Sequence, residues 1–249
     1  MFRKGCIIMK MCFDGYEIEE LEFEGRPAKL IAPRNPCGRL AFKMEYWEAF
    51  PDVEIKLIER GYHLAYIKNS SRFAPKEDCD IKARFVEFLS RKYNLSKRCV
   101  PIGMSIGGAQ AIRFAGYYPE LISCLFLDAP VLDYSSVESY KIGSKRNVWE
   151  DEIVKTYPGL RHYQLPYFSE NPVHMTDVLL ENKIPIVLSY GLQDTTVDYN
   201  SNGALLEEAY GKDNELIKII PVPFRGHHPH GLLSDNSKIV EFIVEHQKI

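Results

Sequence analysis

The sequence of 249 residues is 45% hydrophobic and 26% charged, with a formal net charge of -3. These values are typical of a globular protein in water, and the length suits one large domain, which we expect to span residues 1–249. The sequence has no run of basic residues that would indicate a nucleic-acid partner. It also has no stretch that approaches the roughly 18 uninterrupted apolar residues that a membrane helix requires.

The amino-terminal segment begins with basic side chains, but its apolar stretch before Lys10 has only about four residues, too few for the core of a signal peptide. The cysteines form neither a CxxC pair nor a Cys/His cluster at zinc spacing. We therefore expect reduced thiols in a cytoplasmic protein. The cysteines are Cys6, Cys12, Cys37, Cys79, Cys99 and Cys124.

The first half of the chain begins with an alternating pattern that predicts a β-hairpin and continues with strands and helices. Apolar residues recur at helical spacing between residues 77 and 93, which predicts an amphipathic helix. The predicted elements are the hairpin strands 16–23 and 28–31, a strand at 40–42, a helix ending near Gly61, a strand at 63–67 and the helix 77–93.

The second half alternates continuous apolar strands with amphipathic helices, which is typical of a mainly parallel sheet covered on both faces. The predicted elements are strand 99–104, helix 109–117, strand 122–127, strand 184–190, helix 204–210, strand 216–222 and helix 238–246. Regular alternation is lost between about residues 131 and 183, which we interpret as a cap inserted over the carboxyl ends of the strands. The fold class is therefore α/β, with the opening hairpin as an antiparallel edge.

Gly103-Met104-Ser105-Ile106-Gly107 lies where a buried strand turns into a helix. A serine can attack a carbonyl group only if its hydroxyl projects from the fold and a base can take its proton. A sharp strand-to-helix turn gives that projection, and its tightness requires very small flanking residues. The pattern predicts Ser105 as a nucleophile.

An acid and a base follow Ser105 in the chain order that accompanies a nucleophile on such a strand-turn-helix motif. Asp194 comes directly after an apolar strand, and the loop 224–230 after the next strand contains three histidines. Asp128, at the end of an earlier strand, is an alternative acid, although Asp194 is preferred for its Gly-x-x-Asp setting. The histidines have no acidic or cysteine partner at metal-ligand spacing, so we expect neither a metal nor an organic cofactor.

These segments together resemble the α/β-hydrolase superfamily over nearly the whole length of the chain. Gly103 to Gly108 is similar to its nucleophile elbow, residues 185–197 to its acid-bearing segment, and Gly226-His227-His228-Pro229-His230 to its histidine loop. The resemblance implies that His227 is the base and that His228 and His230 shape the pocket or bind substrate, while His228 stays open as the alternative base.

The chain departs from the superfamily pattern at the loop that helps to bind the oxyanion. Many members have His-Gly after the third strand, whereas here residues 40–42 are followed by Lys43 and Met44. We expect the N–H of Ile106 and an N–H near Lys43 or Met44 to form the oxyanion hole. The Lys43 side chain could reach the site instead, but a solvated loop lysine is the preferred interpretation.

The cap segment is rich in aromatic residues, among them Trp149, which we predict to contact substrate. The favoured function is hydrolysis of an ester with a small or carbohydrate-linked acyl group through an acyl-enzyme. An aminopeptidase or oligopeptidase-like hydrolase and a catalytically silent binding protein are the alternatives. The expected partner is a small-molecule substrate, and the sequence does not predict the oligomeric state.

Overall fold

Eight strands form one sheet in the part of the chain that the computed structural model describes, residue 13 and residues 15–247. They are β1 (Ile18–Phe23), β2 (Arg26–Ile31), β3 (Arg39–Lys43), β4 (Tyr62–Ile67), β5 (Cys99–Met104), β6 (Leu125–Asp128), β7 (Ile186–Gly191) and β8 (Ile217–Val222). The order across the sheet is β1-β2-β4-β3-β5-β6-β7-β8.

The sheet is antiparallel at one edge and parallel elsewhere. β1 pairs with β2 and β2 with β4 in antiparallel fashion, whereas the pairs from β4 through β3 to β8 are parallel. In the centre, Leu40 of β3 is in register with Cys99 of β5, and Met104 of β5 with Asp128 of β6. The predicted fold class, a mostly parallel sheet with an antiparallel amino-terminal hairpin, is confirmed.

Helices cover both faces of this sheet, which explains why its central strands are apolar throughout. The helices are α1 (Asp52–Glu59), α2 (Lys76–Tyr93), α3 (Ile106–Tyr117), α4 (Val154–Thr156), α5 (Thr176–Glu181), α6 (Gly203–Tyr210) and α7 (Ser237–His246). Residues of α1 and α7 pack with Ile102 and Phe126 on one face. Residues of α2, α3, α5 and α6 pack on the other face with Phe42 and Leu127.

The segment between β6 and β7 consists of short helical pieces. A π-helical stretch, Trp149–Ile153, continues as α4, and 3-10 turns flank it. Side chains from residues 131–168 form an apolar cluster with Phe73, Ile106 and Ala109 near the carboxyl end of β5. By contrast, α5 contacts α3 and α6, and its Leu179 joins the main core. The later part of the predicted cap therefore packs on the face of the sheet.

Cys37, Cys79, Cys99 and Cys124 are free thiols, and the last three are buried. Burial raises the pKa of Cys79 to about 11, so this thiol stays protonated at neutral pH. Cys6, Cys12 and the predicted short apolar stretch before Lys10 lie outside the described residues. Within the described ranges, no helix has both the length and the apolar character needed to cross a bilayer.

Candidate active site

Ser105 lies between the end of β5 and the start of α3 in a backbone conformation that side chains rarely adopt, with φ 54° and ψ -126°. Neighbouring hydrogen bonds hold this conformation: the Ser105 N–H donates to the carbonyl of Asp128, and the Ser105 carbonyl accepts from the N–H groups of Gly108 and Val131. These hydrogen bonds maintain the strained backbone conformation of Ser105 in the folded protein. The turn projects the Ser105 side chain at the carboxyl edge of the sheet.

The glycines around Ser105 are required by close backbone contacts. A Cβ atom at Gly103 would lie 2.7 Å from the carbonyl carbon of Gly107, and one at Gly108 would lie 2.7 Å from Cα of Pro130 and closer still to its Cβ. Atoms do not approach so closely without a shift of the backbone. The tight turn that the sequence pattern predicts is therefore present.

Three side chains from three loops form a continuous hydrogen-bonded chain at the carboxyl edge of the sheet. The Ser105 hydroxyl donates to Nε2 of His227 over 3.0 Å, and the Nδ1–H of His227 donates to Oδ2 of Asp194 over 2.7 Å. Ser105 follows β5, Asp194 follows β7 and His227 follows β8. Because parallel strands end at the same edge, residues 122 positions apart in the chain become neighbours.

Asp194 is held in its charged form by donors on both oxygens. Oδ1 accepts the N–H groups of Thr196 at 2.8 Å and Val197 at 3.0 Å, and Oδ2 accepts from His227. Burial raises the pKa of Asp194, but the hydrogen bonds from His227 and from these N–H groups outweigh it and leave the pKa below its ordinary value. A charged Asp194 fixes the orientation and tautomer of the imidazole.

Asp128, the alternative acid, instead fastens the histidine loop to the sheet. Its carboxylate receives two hydrogen bonds from Arg225, at 2.6 and 3.1 Å, and one from the N–H of Gly231. Arg225 in turn donates to the carbonyl of Gly231. These buried contacts hold both ends of the loop that contains His227, and within the described residues no hydrogen bond or ion pair of Asp128 reaches the His227 ring.

The loop after β3 differs from the sequence prediction. The Met44 N–H donates to the carbonyl of Ile102, and the buried Lys43 ammonium donates to Glu54 at 2.5 Å and to the carbonyl of Ala49 at 2.7 Å. Lys43 is therefore not a solvated loop lysine, and its side chain does not reach the site, because its ammonium is buried beside Glu54. The expectation of an oxyanion donor at Met44 is wrong, because the Met44 N–H is already bonded to Ile102.

The N–H of Glu45 lies closer to the turn at Ser105. Its nitrogen is 3.7 Å from the position that a Cβ of Gly107 would occupy. Among the described residues, neither the Glu45 N–H nor the Ile106 N–H has a hydrogen-bond acceptor. Both donors therefore remain available at the start of α3, where the helix dipole also favours negative charge.

A partly buried polar network supports this loop. The amide of Asn69 donates to the Met44 carbonyl at 2.8 Å and to the Glu45 carboxylate at 2.9 Å. Gln110 also donates to Glu45, at 2.7 Å, while the Lys82 ammonium donates to Asn69. Burial lowers the pKa of Lys82. The network joins the loop to α2 and α3.

A cavity of about 280 Å³ opens beside Ser105. Its wall is mainly apolar and aromatic, with a few polar groups, which is usual for a small-molecule site. The lining residues are Tyr46, Ala49, Phe50, Arg72, Met104, Ser105, Ile106, Val131, Val137, Ser139, Tyr140, Arg146, Val148, Thr196, Val197, His227, His228 and His230.

Of the three residues that the sequence analysis assigned to substrate contact, two line the cavity and one does not. His228 lines the cavity and stacks on Phe50, with 5.8 Å between the ring centroids, and His230 lines it from a buried position. Trp149 is not among the lining residues: it is buried in the apolar cluster and contacts His162 edge to face. Its large apolar surface packs inside the segment, so the expectation of substrate contact is corrected.

Three residues that support the site were missed at the sequence level. Asn69 and Glu45 follow β4 and β3 by two residues, and Arg225 precedes His227 by two. Polar residues directly after buried strands were the signal available for Asn69 and Glu45. No local pattern shows that Arg225 pairs with Asp128, because 97 residues separate them in the chain.

The backbone is similar to several solved structures of low sequence identity. Est1E from Butyrivibrio proteoclasticus is 16% identical with a TM-score of 0.66, and the match covers 92% of this chain and 98% of that one. An esterase from Pyrococcus furiosus is 20% identical with a TM-score of 0.62, and covers 92% of both chains. A Bacteroides ovatus protein with a provisional assignment as a dipeptidyl aminopeptidase IV is 17% identical over 94% of this chain, with a TM-score of 0.65.

The share of the known protein that the match covers differs from one structure to another. This chain spans 36% of the Bacteroides ovatus protein and 37% of an acylaminoacyl peptidase from Pyrococcus horikoshii. No family model matches the sequence, and no curated protein matches it. At such identities the similarity concerns the fold.

Proposed function

The chain has the α/β-hydrolase fold, and we propose that it is a serine hydrolase that cleaves a carboxylic ester. Ser105 is the nucleophile, His227 the general base and Asp194 the acid that orients His227. The observation that carries this proposal is the continuous hydrogen-bonded row from Ser105 through His227 to Asp194 beside a cavity.

The reaction has two halves with a covalent acyl-enzyme between them. Oγ of Ser105 attacks the ester carbonyl carbon while its proton passes to Nε2 of His227; the C–O bond to the alcohol then breaks, and His227 gives the proton to the leaving oxygen. Water attacks the acyl carbon next and gives a proton to His227. The Ser105–acyl bond breaks, and His227 returns the proton to Ser105 as the carboxylic acid leaves.

Negative charge on the carbonyl oxygen is stabilised by two backbone donors. The N–H groups of Ile106 and Glu45 have no acceptor among the described residues. Loss of one such donor typically lowers kcat by about 10²–10³-fold, so their preorganisation is a large part of catalysis.

The cavity favours ester cleavage over aminopeptidase activity. An aminopeptidase needs a carboxylate directed at the substrate amine, whereas no acidic residue is among the described residues that line this cavity. Arg72 and Arg146 line it instead, and they would repel a protonated amine.

Hydrolysis of p-nitrophenyl acetate and butyrate tests the proposal. We expect Ser105→Ala to lower kcat/KM by at least about a thousandfold, because the nucleophile is removed. Ser96→Ala is the matched control: Ser96 precedes β5, at the opposite edge of the sheet, and its hydroxyl accepts the N–H of Arg98. Equal rates for wild type and Ser105→Ala would overturn the proposal.

Labelling with a fluorophosphonate probe separates an enzyme from a catalytically silent binding protein. The probe reacts with a serine hydroxyl only where a base activates it. We expect labelling of the folded wild type at Ser105 and none of Ser105→Ala. Folded wild-type protein that the probe does not label would favour the silent protein.

A further inference from the structure

Two arginines line the wall of the cavity beside Ser105. Arg72 lies in the loop after β4, and Arg146 lies in the segment between β6 and β7. Among the described lining residues, none is acidic, so the charges that face the cavity are positive. A cavity with guanidinium groups and an apolar remainder attracts an anion more strongly than the same groups in open water.

The two arginines differ in how far their charge is neutralised. Nε of Arg72 lies 2.5 Å from the carboxylate of Glu152, and both side chains are about one third exposed, at 31% and 34%. The Arg146 side chain has no ion-pair or hydrogen-bond partner among the described residues. Arg146 is exposed to solvent as well as lining the cavity, so the cavity wall carries one positive charge that no described residue pairs.

Uncharged donors line the same wall. The hydroxyl groups of Tyr46 and Tyr140 donate no hydrogen bond to any described residue, and both residues line the cavity. Tyr140 is nevertheless buried, held by edge-to-face contacts with Phe73 and Tyr134. A hydroxyl that lines the cavity and has no hydrogen bond to the described residues is available to a ligand oxygen.

We propose that the substrate is an ester that carries a carboxylate group, and that Arg146, assisted by Arg72, binds this carboxylate. The inference rests on the proposed serine hydrolase and adds its substrate class. The planar guanidinium of arginine matches a carboxylate in two parallel hydrogen bonds. Arg72 is already paired through Nε with Glu152, which lies outside the cavity lining, so Arg72 is the weaker of the two partners for this carboxylate.

Two matched pairs of esters test the proposal on either side of the scissile bond. For the acyl side, the mono-p-nitrophenyl ester of adipic acid is compared with p-nitrophenyl 6-methylheptanoate, in which two methyl groups replace the carboxylate oxygens. For the alcohol side, 4-acetoxybenzoate is compared with its methyl ester. The readout is the ratio of kcat/KM for the acidic ester to that for the neutral ester.

We expect the ratio to exceed one for at least one pair in the wild type. In that pair, Arg146→Gln should lower the ratio about tenfold, because a hydrogen-bonded charge pair is lost, and Arg146→Lys should restore part of it. Lys145→Gln is the matched control, since it removes the same charge from an exposed neighbour that does not line the cavity. Glu152→Gln should raise the ratio, because Arg72 loses its competing carboxylate.

Several results would overturn the proposal. They are a ratio of one or less for both pairs in the wild type, an unchanged ratio in Arg146→Gln and Arg72→Gln, or an equal fall of the ratio in Lys145→Gln.

Calorimetric binding of monomethyl adipate to Ser105→Ala, with dimethyl adipate as the neutral ligand, tests the anion site without turnover. A Ser105-independent rate with the neutral esters would instead contradict the serine hydrolase, so the two failures are distinguishable.

Discussion

Two adjacent histidines in the loop after β8 have the same chemistry but different surroundings. His227 touches both Ser105 and Asp194 and has a side chain only 9% exposed. His228 is exposed and stacks on Phe50. Partial burial lowers the pKa of His228, and the neighbouring His227 and His230 lower it further, so His228 stays neutral at neutral pH. Only His227 has the contacts of a general base.

Substitution of each histidine by asparagine separates their roles. We expect His227→Asn to lower kcat/KM for p-nitrophenyl butyrate at least about a thousandfold, because no group then accepts the Ser105 proton. His228→Asn should lower it by less than about tenfold, since His228 has no hydrogen bond to Ser105 or Asp194. A larger loss in His228→Asn than in His227→Asn would contradict the assignment.

Individual residues were predictable from the sequence where local geometry fixes them. The turn at Ser105 requires small neighbours at fixed positions, and strand ends on one edge bring Asp194 and His227 to the same place. Lys43 was misinterpreted because its partner, Glu54, comes from α1 and no local pattern shows the ion pair. Trp149 was misinterpreted because an aromatic residue in an irregular segment fits a cavity wall and a small core equally well.

The loop after β3 depends on the loop after β4 for its position. Asn69 donates to the Met44 carbonyl, which is part of the Met44–Glu45 peptide, and to the Glu45 carboxylate, so it holds both this peptide and the adjacent side chain. The N–H of Glu45 is the proposed second donor to the oxyanion. A partly buried amide that bonds several partners at once keeps such a peptide in one orientation.

We therefore expect Asn69→Ala to lower kcat for p-nitrophenyl butyrate about tenfold with little change in KM. The Glu45 N–H would lose its fixed direction, which weakens an interaction that is made mainly in the transition state. Steady-state kinetics of the purified variants, with circular dichroism to verify folding, provide the measurement.

Ser70→Ala is the control for this substitution. Ser70 is the next residue, and its hydroxyl donates to Asp78 at 2.7 Å and not to the loop after β3. We expect kcat in this variant to stay within about twofold of the wild-type value. An equal fall of kcat in both variants, or a rise of KM alone in Asn69→Ala, would refute the positioning role of Asn69.

The boundaries of the elements were predictable where periodicity is strong. The prediction for α2, residues 77–93, differs from the structure by one residue at its start, because apolar residues recur on one face of this helix. Helix α3 begins at Ile106 and not at residue 109, because its first turn consists of small residues without a periodic pattern. The short pieces between β6 and β7 have no periodicity, so sequence alone could not define them.

At the scale of the whole molecule, the site is assembled where β5, β6, β7 and β8 end side by side. Asp128 ends β6 and links the sheet to the histidine loop through Arg225. Burial raises the pKa of Asp128, but His230 and Arg225 outweigh it, so the pKa lies below the ordinary value of 3.8. The charge of this one carboxylate therefore contributes to both the fold and the arrangement of the site.

The pH dependence of stability should reveal this contribution. A carboxyl group with a depressed pKa in the folded state stabilises the protein above its unfolded-state pKa, and this stabilisation is lost as pH falls through the folded-state value. We expect the free energy of unfolding of the wild type to decline below about pH 4, since both Asp128 and Asp194 have lowered pKa values. Urea unfolding at pH 7, 5, 4 and 3 measures the decline.

Asp128→Asn should be less stable at pH 7 by about 3 kcal/mol, because the buried guanidinium of Arg225 loses its charged partner. Its decline between pH 5 and pH 3 should be shallower than that of the wild type, since one buried carboxyl group with a depressed pKa is gone while Asp194 and the other depressed carboxyl groups remain. Asp151→Asn removes an exposed carboxylate and should follow the wild-type profile. A slope in Asp128→Asn as steep as in the wild type would show that Asp128 carries no charge-dependent stability, and the histidine loop would then need another anchor.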